Sequence, residues 1–224
     1  MMEKVGLFIR ENPPLIPEDL LQRANKLSTS VLADAMEGFG VMDYTIKPIS
    51  PGMKVVGTAL TVNCPTGASL MFHKALYSSG KGYIVTVDAK GNTRSAAFGD
   101  LMATAAIKLG VSGIVLDGVV RDLSTLRGLN LPIFAKGAVP NATSKDGPGE
   151  INGPITCGGA TVNPGDLIMG DDDGVVVVPR NLIEEVIQIA EEKSKREISR
   201  LQEIDEGKIM PDWVEKKLEQ LGLL

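Results

Sequence analysis

The residues best suited to chemistry in this chain are Gly99-Asp100-Leu101-Met102 and, separated from Asp100 by twenty residues, Arg121-Asp122. Carboxylates hold hard divalent cations, and a guanidinium grips a carboxylate ligand through two hydrogen bonds. Between the two segments lie a helix-like run, Met102 to Leu109, and an apolar strand-like run, Gly113 to Leu116, that ends at Asp117-Gly118. A parallel β-α-β unit would bring both segments to the carboxyl edge of a sheet, where open α/β folds receive ligands. Gly99 to Met102 would open the connecting helix and offer N–H donors to an anion. A small 2-oxo acid bound through a divalent cation would use those donors, Arg121, and the carboxylates of Asp100 and Asp122. The plainer alternative has both acids complementing helix dipoles, with Arg121 as their ion-pair partner.

Other residues compete for a chemical role. Asp171-Asp172-Asp173-Gly174 has the composition of a cation loop. Calcium loops need alternating acids and a distal Glu, however, and Glu184 falls at the wrong offset. A tight turn explains the run. His73 is the only histidine, which excludes a zinc site of histidine type and leaves a Ser-His-Asp triad only through His73 itself. It reads as a packing or capping residue, with proton donation as the alternative. Lys136 follows Phe134-Ala135 and could form a Schiff base with a keto acid. A solvated or structural lysine is the plainer reading. No P-loop is present, and no Gly-x-Gly-x-x-Gly follows a strand, so a nucleotide or S-adenosylmethionine site has no motif support. Cys64 and Cys157 form no Cys-x-x-Cys pair and read as buried free thiols of a reducing compartment.

The elements that must position these residues follow from pattern. Leu20, Leu21, Ala24 and Leu27 share one face of a helix entered at Pro17. Ser28 or Thr29 caps a second helix that Gly38 and Gly40 end. Lys54 to Val62 reads as a strand, Ser69 to Tyr77 as a helix, and Tyr83 to Val87 as a strand buried on both faces. Asp88 to Ala97 reads as a polar loop. Leu123 to Leu129 is a short helix and Leu131 to Ala135 another buried strand. Val139 to Pro154, rich in Gly, Pro, Asn and Ser, reads as a long surface loop. Short β segments follow at 155–156, 160–162, 167–169 and 175–178, a pattern that suits a small antiparallel or mixed layer. Asn181 caps a last long helix with a broad apolar face that narrows after Glu191 to Ile198, Leu201 and Ile204 among charges. Such a stripe suits an arm lying on another subunit. Residues 1–180 thus form one α/β domain and 181–224 a helical extension.

Composition narrows the function classes. The chain has 224 residues, enough for a substantial core, and a net charge of −5. Nucleic acid is an unexpected main ligand, because phosphate backbones are bound by basic patches. The amino terminus has no basic start followed by an apolar core, and no apolar run spans a bilayer. A cytoplasmic protein with no membrane contact is expected.

The segments quoted above are similar, in order, to the RraA-like family. That family includes 4-hydroxy-4-methyl-2-oxoglutarate aldolases and the regulators of ribonuclease activity A. The likeness runs from about Leu27 to Pro179. It takes in Ser28-Thr29, Asp34-Ala35, Gly57-Thr58-Ala59, His73-Lys74-Ala75 and Gly99-Asp100-Leu101-Met102. It continues through Arg121-Asp122, Pro132 to Ala135, Pro164-Gly165-Asp166 and Asp171 to Pro179. The resemblance implies a swivelling β/β/α domain with a mixed sheet and flanking helices, assembled as a homotrimer or hexamer. It implies that Asp122 holds Mg²⁺ or Mn²⁺ through or alongside water, and that Arg121 holds the keto acid. The backbone of Leu101 and Met102 would receive the acid's carboxylate, with Asp100 either behind the groups that touch the metal or on a metal-bound water. In the aldolase branch a glutamate of a neighbouring subunit reaches the site, and Glu192, Glu197 and Glu203 are the residues at hand for it. The activity implied is a metal-dependent lyase that releases pyruvate from 4-hydroxy-2-oxo acids or oxaloacetate. The alternative is a protein inhibitor of a ribonuclease or helicase. A third family label, a menaquinone-pathway methyltransferase, lacks its cofactor motif here.

Overall fold

The computed structural model describes residues 6–224. Four parallel strands form its centre: β3 (Val55–Asn63), β4 (Tyr83–Asn92), β5 (Gly113–Val120) and β6 (Ile133–Ala138). They belong to a nine-stranded mixed sheet. β1 (Leu7–Ile9) and β7 (Gly149–Ile151) extend one edge, and β2 (Lys47–Pro48) closes the other. β10 (Leu167–Asp171) pairs antiparallel with the first half of β3, and β11 (Gly174–Val178) pairs with β10. β8 (Ile155–Cys157) and β9 (Ala160–Val162) form a separate hairpin.

The layering is β/β/α. On one face α3 (Leu70–Ser78), α4 (Asp100–Leu109) and α5 (Leu123–Arg127) enclose a core that includes Leu60, Phe72, Val87, Phe98, Ala103 and Leu116. On the other face the β8–β9 hairpin covers Ala59, Ile84, Val115 and Phe134. A third apolar cluster lies between β10–β11 and three helices: α1 (Glu18–Ala24), α2 (Thr29–Ala35) and α6 (Ile183–Asp205). α7 (Asp212–Gln220) ends the chain with no buried residue.

Local chemistry explains the boundaries. Ser28 caps α2, its Oγ accepting from the Val31 N–H at 3.3 Å. The Asp171 carboxylate accepts from the Thr29 N–H (2.9 Å), the Thr29 hydroxyl (2.6 Å) and the Asp173 N–H (3.0 Å). The acidic run is therefore the tight β10–β11 turn, and one of its acids ties α2 to the sheet.

Five expectations change. β4 runs on to Asn92 where a loop was expected, because Lys90 and Gly91 adopt left-handed backbone and form a bulge. Asp88 holds that bulge, accepting from the Lys90 N–H at 2.9 Å and its ammonium at 2.6 Å. β5 likewise continues past Asp117 to Val120, so Arg121 leaves the sheet directly. The 139–154 segment contains β7, and β10 and β11 join the main sheet. Asn181 does not cap α6; it lies in a 3₁₀ turn, Arg180–Leu182, that precedes the helix.

α6 starts inside the fold. Ile183, Val186, Ile187 and Ala190 are buried, and Arg23 donates from Nε and Nη2 to the two carboxylate oxygens of Glu191 (2.9 and 3.0 Å). Each large apolar side chain buried there contributes about 1.5–3 kcal/mol. Beyond Lys193, paired with Asp34 at 2.7 Å, the helix leaves the core, and Ile198 and Leu201 are 56% and 61% exposed.

Candidate active site

Backbone pairing brings the two sequence segments together. The chain entering α4 runs parallel to the end of β5, with Phe98 opposite Val120. Ala97 N–H donates to the Val119 carbonyl (3.1 Å) and Arg121 N–H to the Phe98 carbonyl (2.9 Å). The Phe98 ring is buried and stacks on Phe72 of α3, centroids 5.3 Å apart and planes 18° apart. Gly99 and Arg121 are therefore neighbours by construction.

Gly99 is needed for space and not for conformation, since its φ of −153° is extended. A Cβ on it would meet Asp122 Oδ2 at 2.7 Å, Arg121 Cγ at 3.0 Å and Arg121 Nε at 3.1 Å. Asp122 has left-handed backbone (φ 58°, ψ 36°), which costs a non-glycine residue about 1 kcal/mol. Such strain concentrates at functional positions. Asp122 stands where α5 would be capped, yet its side chain makes no capping bond. Oδ2 lies 3.3 Å from Arg121 Nε and 3.4 Å from the Asp100 N–H, while Oδ1 has no hydrogen-bond partner among the described residues.

Arg121 and Asp122 do form the ion pair of the plainer alternative, but Asp100 is not part of it. The Asp100 carboxylate accepts from the Leu101 N–H at 2.7 Å. That amide, expected to receive a ligand carboxylate, is already engaged. The Met102 N–H is not, because the first helical bond of α4 runs from Ala103 to Gly99 (3.0 Å).

Gly99, Asp100, Leu101, Met102 and Arg121 all line one cavity of about 120 Å³. Pockets for drug-sized ligands hold ~300–1,000 Å³, so this one suits a small acid. Asp122 is not on its wall and reaches it through Arg121 and the Asp100 amide. Glu192, Glu197 and Glu203 do not line the cavity of their own chain.

Sequence reasoning missed part of the wall. His73, read as a packing residue, is half-buried and faces the cavity, as do Ser69, Thr143 and Lys145. Burial, with the Lys145 ammonium adding to it, holds His73 below its ordinary 6.5, so the ring is neutral at pH 7. The 139–148 segment that supplies Lys145 is fixed by its backbone. Val139 N–H donates to Val120 (2.9 Å), Thr143 N–H to Ala96 (3.0 Å) and Ser144 N–H to Gly67 (2.8 Å). Ser69 Oγ donates to the Ser144 carbonyl at 2.9 Å. No periodic signal announces such a segment; only its Lys, Ser and Thr content hinted at polar contacts.

The competing residues have structural roles. Lys136 Nζ pairs with Asp117 at 2.8 Å, and that contact raises its pKa, so it remains an ammonium. Asp117 also accepts from Gly158 N–H at 3.0 Å, fixing the β8–β9 turn. Burial pushes the Cys64 thiol up to about 11 and Cys157 up as well, so neither is a thiolate.

The donor set suits a hydrated hard cation. Asp122 offers a free carboxylate oxygen, with Asp100 beside it. Among the described residues no three His, Cys, Asp or Glu side chains converge into a closed cage. Mg²⁺ commonly keeps several waters and takes one or two carboxylates plus its substrate.

The family model RraA-like (Aldolase/RraA) matches residues 29–177. The chain belongs to the RraA-like family. A Halalkalibacterium halodurans relative, provisionally named a 4-hydroxy-4-methyl-2-oxoglutarate aldolase, is 39% identical over 189 residues, covering 84% of this chain and 90% of that protein. An uncharacterized Pseudomonas syringae pv. tomato protein shares the fold with a TM-score of 0.77 and 30% identity, over 88% of this chain and 93% of the other. The Thermus RNA-processing inhibitor RraA aligns with a TM-score of 0.63 and 28% identity, over 68% of this chain and 92% of its own. No helix among the described residues is long and apolar enough to cross a membrane.

Proposed function

We propose that this RraA-like protein is a divalent-metal-dependent lyase. It cleaves 4-hydroxy-2-oxo acids and decarboxylates oxaloacetate, releasing pyruvate from both. The observation that carries this reading is Asp122: a strained residue whose carboxylate forgoes helix capping and turns to Arg121 and the start of α4.

The residues divide the work. Arg121 and the Met102 N–H bind the 2-oxo acid and orient it against the helix terminus. Asp122, with Asp100 beside it, would hold Mg²⁺ or Mn²⁺. Such an ion supplies Lewis-acid polarisation of the 2-oxo group. When the C3–C4 bond breaks, its electron pair moves into the pyruvate fragment, and the Arg121 guanidinium stands where that negative charge develops. In aldol cleavage the C4 hydroxyl loses its proton as the carbonyl product forms; in decarboxylation CO₂ leaves. Protonation of C3 then yields pyruvate in both reactions.

A coupled pyruvate assay with 4-hydroxy-2-oxo acids and oxaloacetate, with and without EDTA, tests the reading. Pyruvate release that EDTA abolishes and added Mg²⁺ restores is expected. Full activity in both Arg121→Ala and Asp122→Ala proteins would sink the site.

Likeness to the Thermus inhibitor supports a second reading, a non-catalytic partner of a ribonuclease or helicase. Inhibition of RNA cleavage by a protein with no pyruvate release would favour it. In the lyase reading the protein is a cytoplasmic homotrimer or hexamer, and the arm beyond Lys193 lies on another copy, where Glu192, Glu197 or Glu203 approaches a neighbouring site.

A further inference from the structure

We propose that Asp88, buried on the far side of the sheet, is a positioning residue for the lyase site. It fixes the β4 bulge from which the chain runs to Gly99 and meets Arg121 and Asp122. This role rests on the lyase reading and adds to it a residue that acts without touching substrate.

Asp88 stands on the face opposite the substrate cavity. Val85, Val87 and Ala89 point into the core enclosed by α3, α4 and α5, so alternation along β4 turns Asp88 the other way. There it lines a separate cleft with Ile155 and Thr161 of the β8–β9 hairpin. The cavity between α3 and α4 does not include it.

Strand register links the two faces. Asp88 pairs with Asp117, and the next pair along the same strands is Asn92 with Gly118. β4 therefore uses four residues where β5 advances one, a surplus of three that the bulge takes up. Asn92 carries the placement onward. Its amide accepts from the Arg94 N–H at 3.0 Å and donates to the Ser95 carbonyl at 3.1 Å, folding the next residues back onto β5. Ala97 and Phe98 then rejoin Val119 and Arg121, and Gly99 follows at once. A shift at the bulge passes along this bonded path to Gly99, where Asp122 and Arg121 leave no room for a Cβ.

The bulge persists because charges hold it. Lys90 and Gly91 have φ of 58° and 64°, and a left-handed lysine survives only where its surroundings fix it. The Asp88 carboxylate accepts from the Lys90 N–H (2.9 Å) and its ammonium (2.6 Å). Asp88 is 3% exposed, so water competes little for these bonds. Gly91 lies over a second pair: a Cβ on it would be 3.5 Å from Lys136 Nζ and 3.8 Å from Asp117 Oδ1. Two lysine–aspartate pairs on neighbouring strands thus clamp the bulge from behind the site.

Asp88→Ala removes both bonds to Lys90. Pyruvate release, as kcat/KM per folded protein, should fall roughly tenfold to a hundredfold, the cost of an ångström-scale misplacement. Asp88→Asn keeps an acceptor for the Lys90 N–H and should retain most of the activity. A double-mutant cycle separates placement from stability. Acting through Gly99 and its neighbours, Asp88→Ala should add little to the loss already caused by Gly99→Ala. Losses that multiply, or full activity in folded Asp88→Ala, would overturn the proposal. A second measurement needs no turnover. The Arg121 Nε–H resonance, 3.3 Å from Asp122 Oδ2, should move in Asp88→Ala and hold its place in Asp88→Asn. An unmoved resonance in Asp88→Ala would also overturn it. Should Asp88→Ala not fold, Gly91→Ala strains the same bulge with no contact under 3.5 Å, and both readouts apply to it unchanged. A wild type that releases no pyruvate would instead remove the lyase reading, and the resonance comparison would still decide whether Asp88 positions Arg121.

Discussion

A Cβ placed on Gly99 would lie 2.7 Å from Oδ2 of Asp122, closer than a real contact allows. Gly99→Ala must therefore push Asp122 and Arg121 off their present positions. Because the backbone at Gly99 is extended, the substitution adds no conformational strain of its own. Pyruvate release should drop by about tenfold to a hundredfold, the usual cost of an ångström-scale misplacement. Thermal stability should change little. Wild-type kcat/KM in this variant would show that the close approach is incidental.

The Phe72–Phe98 stack fixes α3 against the approach to α4. Phe98→Ala should destabilise the protein by about 3–5 kcal/mol, read from urea unfolding. Phe98→Leu should cost less and retain activity in proportion to folded protein.

His73 binds its proton more weakly in the folded chain than in the unfolded one, through burial first and Lys145 second. As pH falls below 6.5 the unfolded chain takes up this proton before the folded one does. Stability should therefore decrease from 6.5 down through the folded-state value. Removing the Lys145 charge should raise the histidine's NMR midpoint without restoring 6.5. His73→Gln should flatten the pH dependence of urea midpoints across that window.

Lys136 is held by Asp117, so a Schiff base is not expected. Borohydride reduction in the presence of pyruvate should leave the protein's mass unchanged. Lys136→Met would strand a buried carboxylate and should cost about 3–5 kcal/mol of stability. A covalent adduct on Lys136 would contradict this assignment.

The outer half of α6 exposes Ile198 and Leu201. If another copy covers them, Leu201→Glu should yield a smaller species in sedimentation. An unchanged sedimentation coefficient, or a monomeric wild type, would remove the arm from the assembly.

Much of the central unit was legible in the sequence because its signals are local. Buried strands at 83–87 and 113–116 are nearly all apolar, and the intervening helix has its period and its closing Gly110. Signals failed where polar residues sit inside a strand. Asp117 looks like a strand end, yet Lys136 and the Gly158 amide satisfy it within β5. Lys90-Gly91 looks like a loop, yet it is a bulge. For the site, Asp100, Arg121 and Asp122 stand out by type and spacing. Lys145 does not, because only long-range backbone bonds from a segment without periodicity bring it there.

Those long-range bonds divide the cavity into two inheritances. The Arg121 end is set by β5 and α4, where almost any backbone change disturbs the central sheet. The Lys145 end hangs from a connecting segment whose amides, and not its side chains, make most of the attachments. Side chains there can be exchanged while the attachments persist. A lineage of such proteins could therefore change which acids it accepts while the bond-breaking apparatus stays untouched.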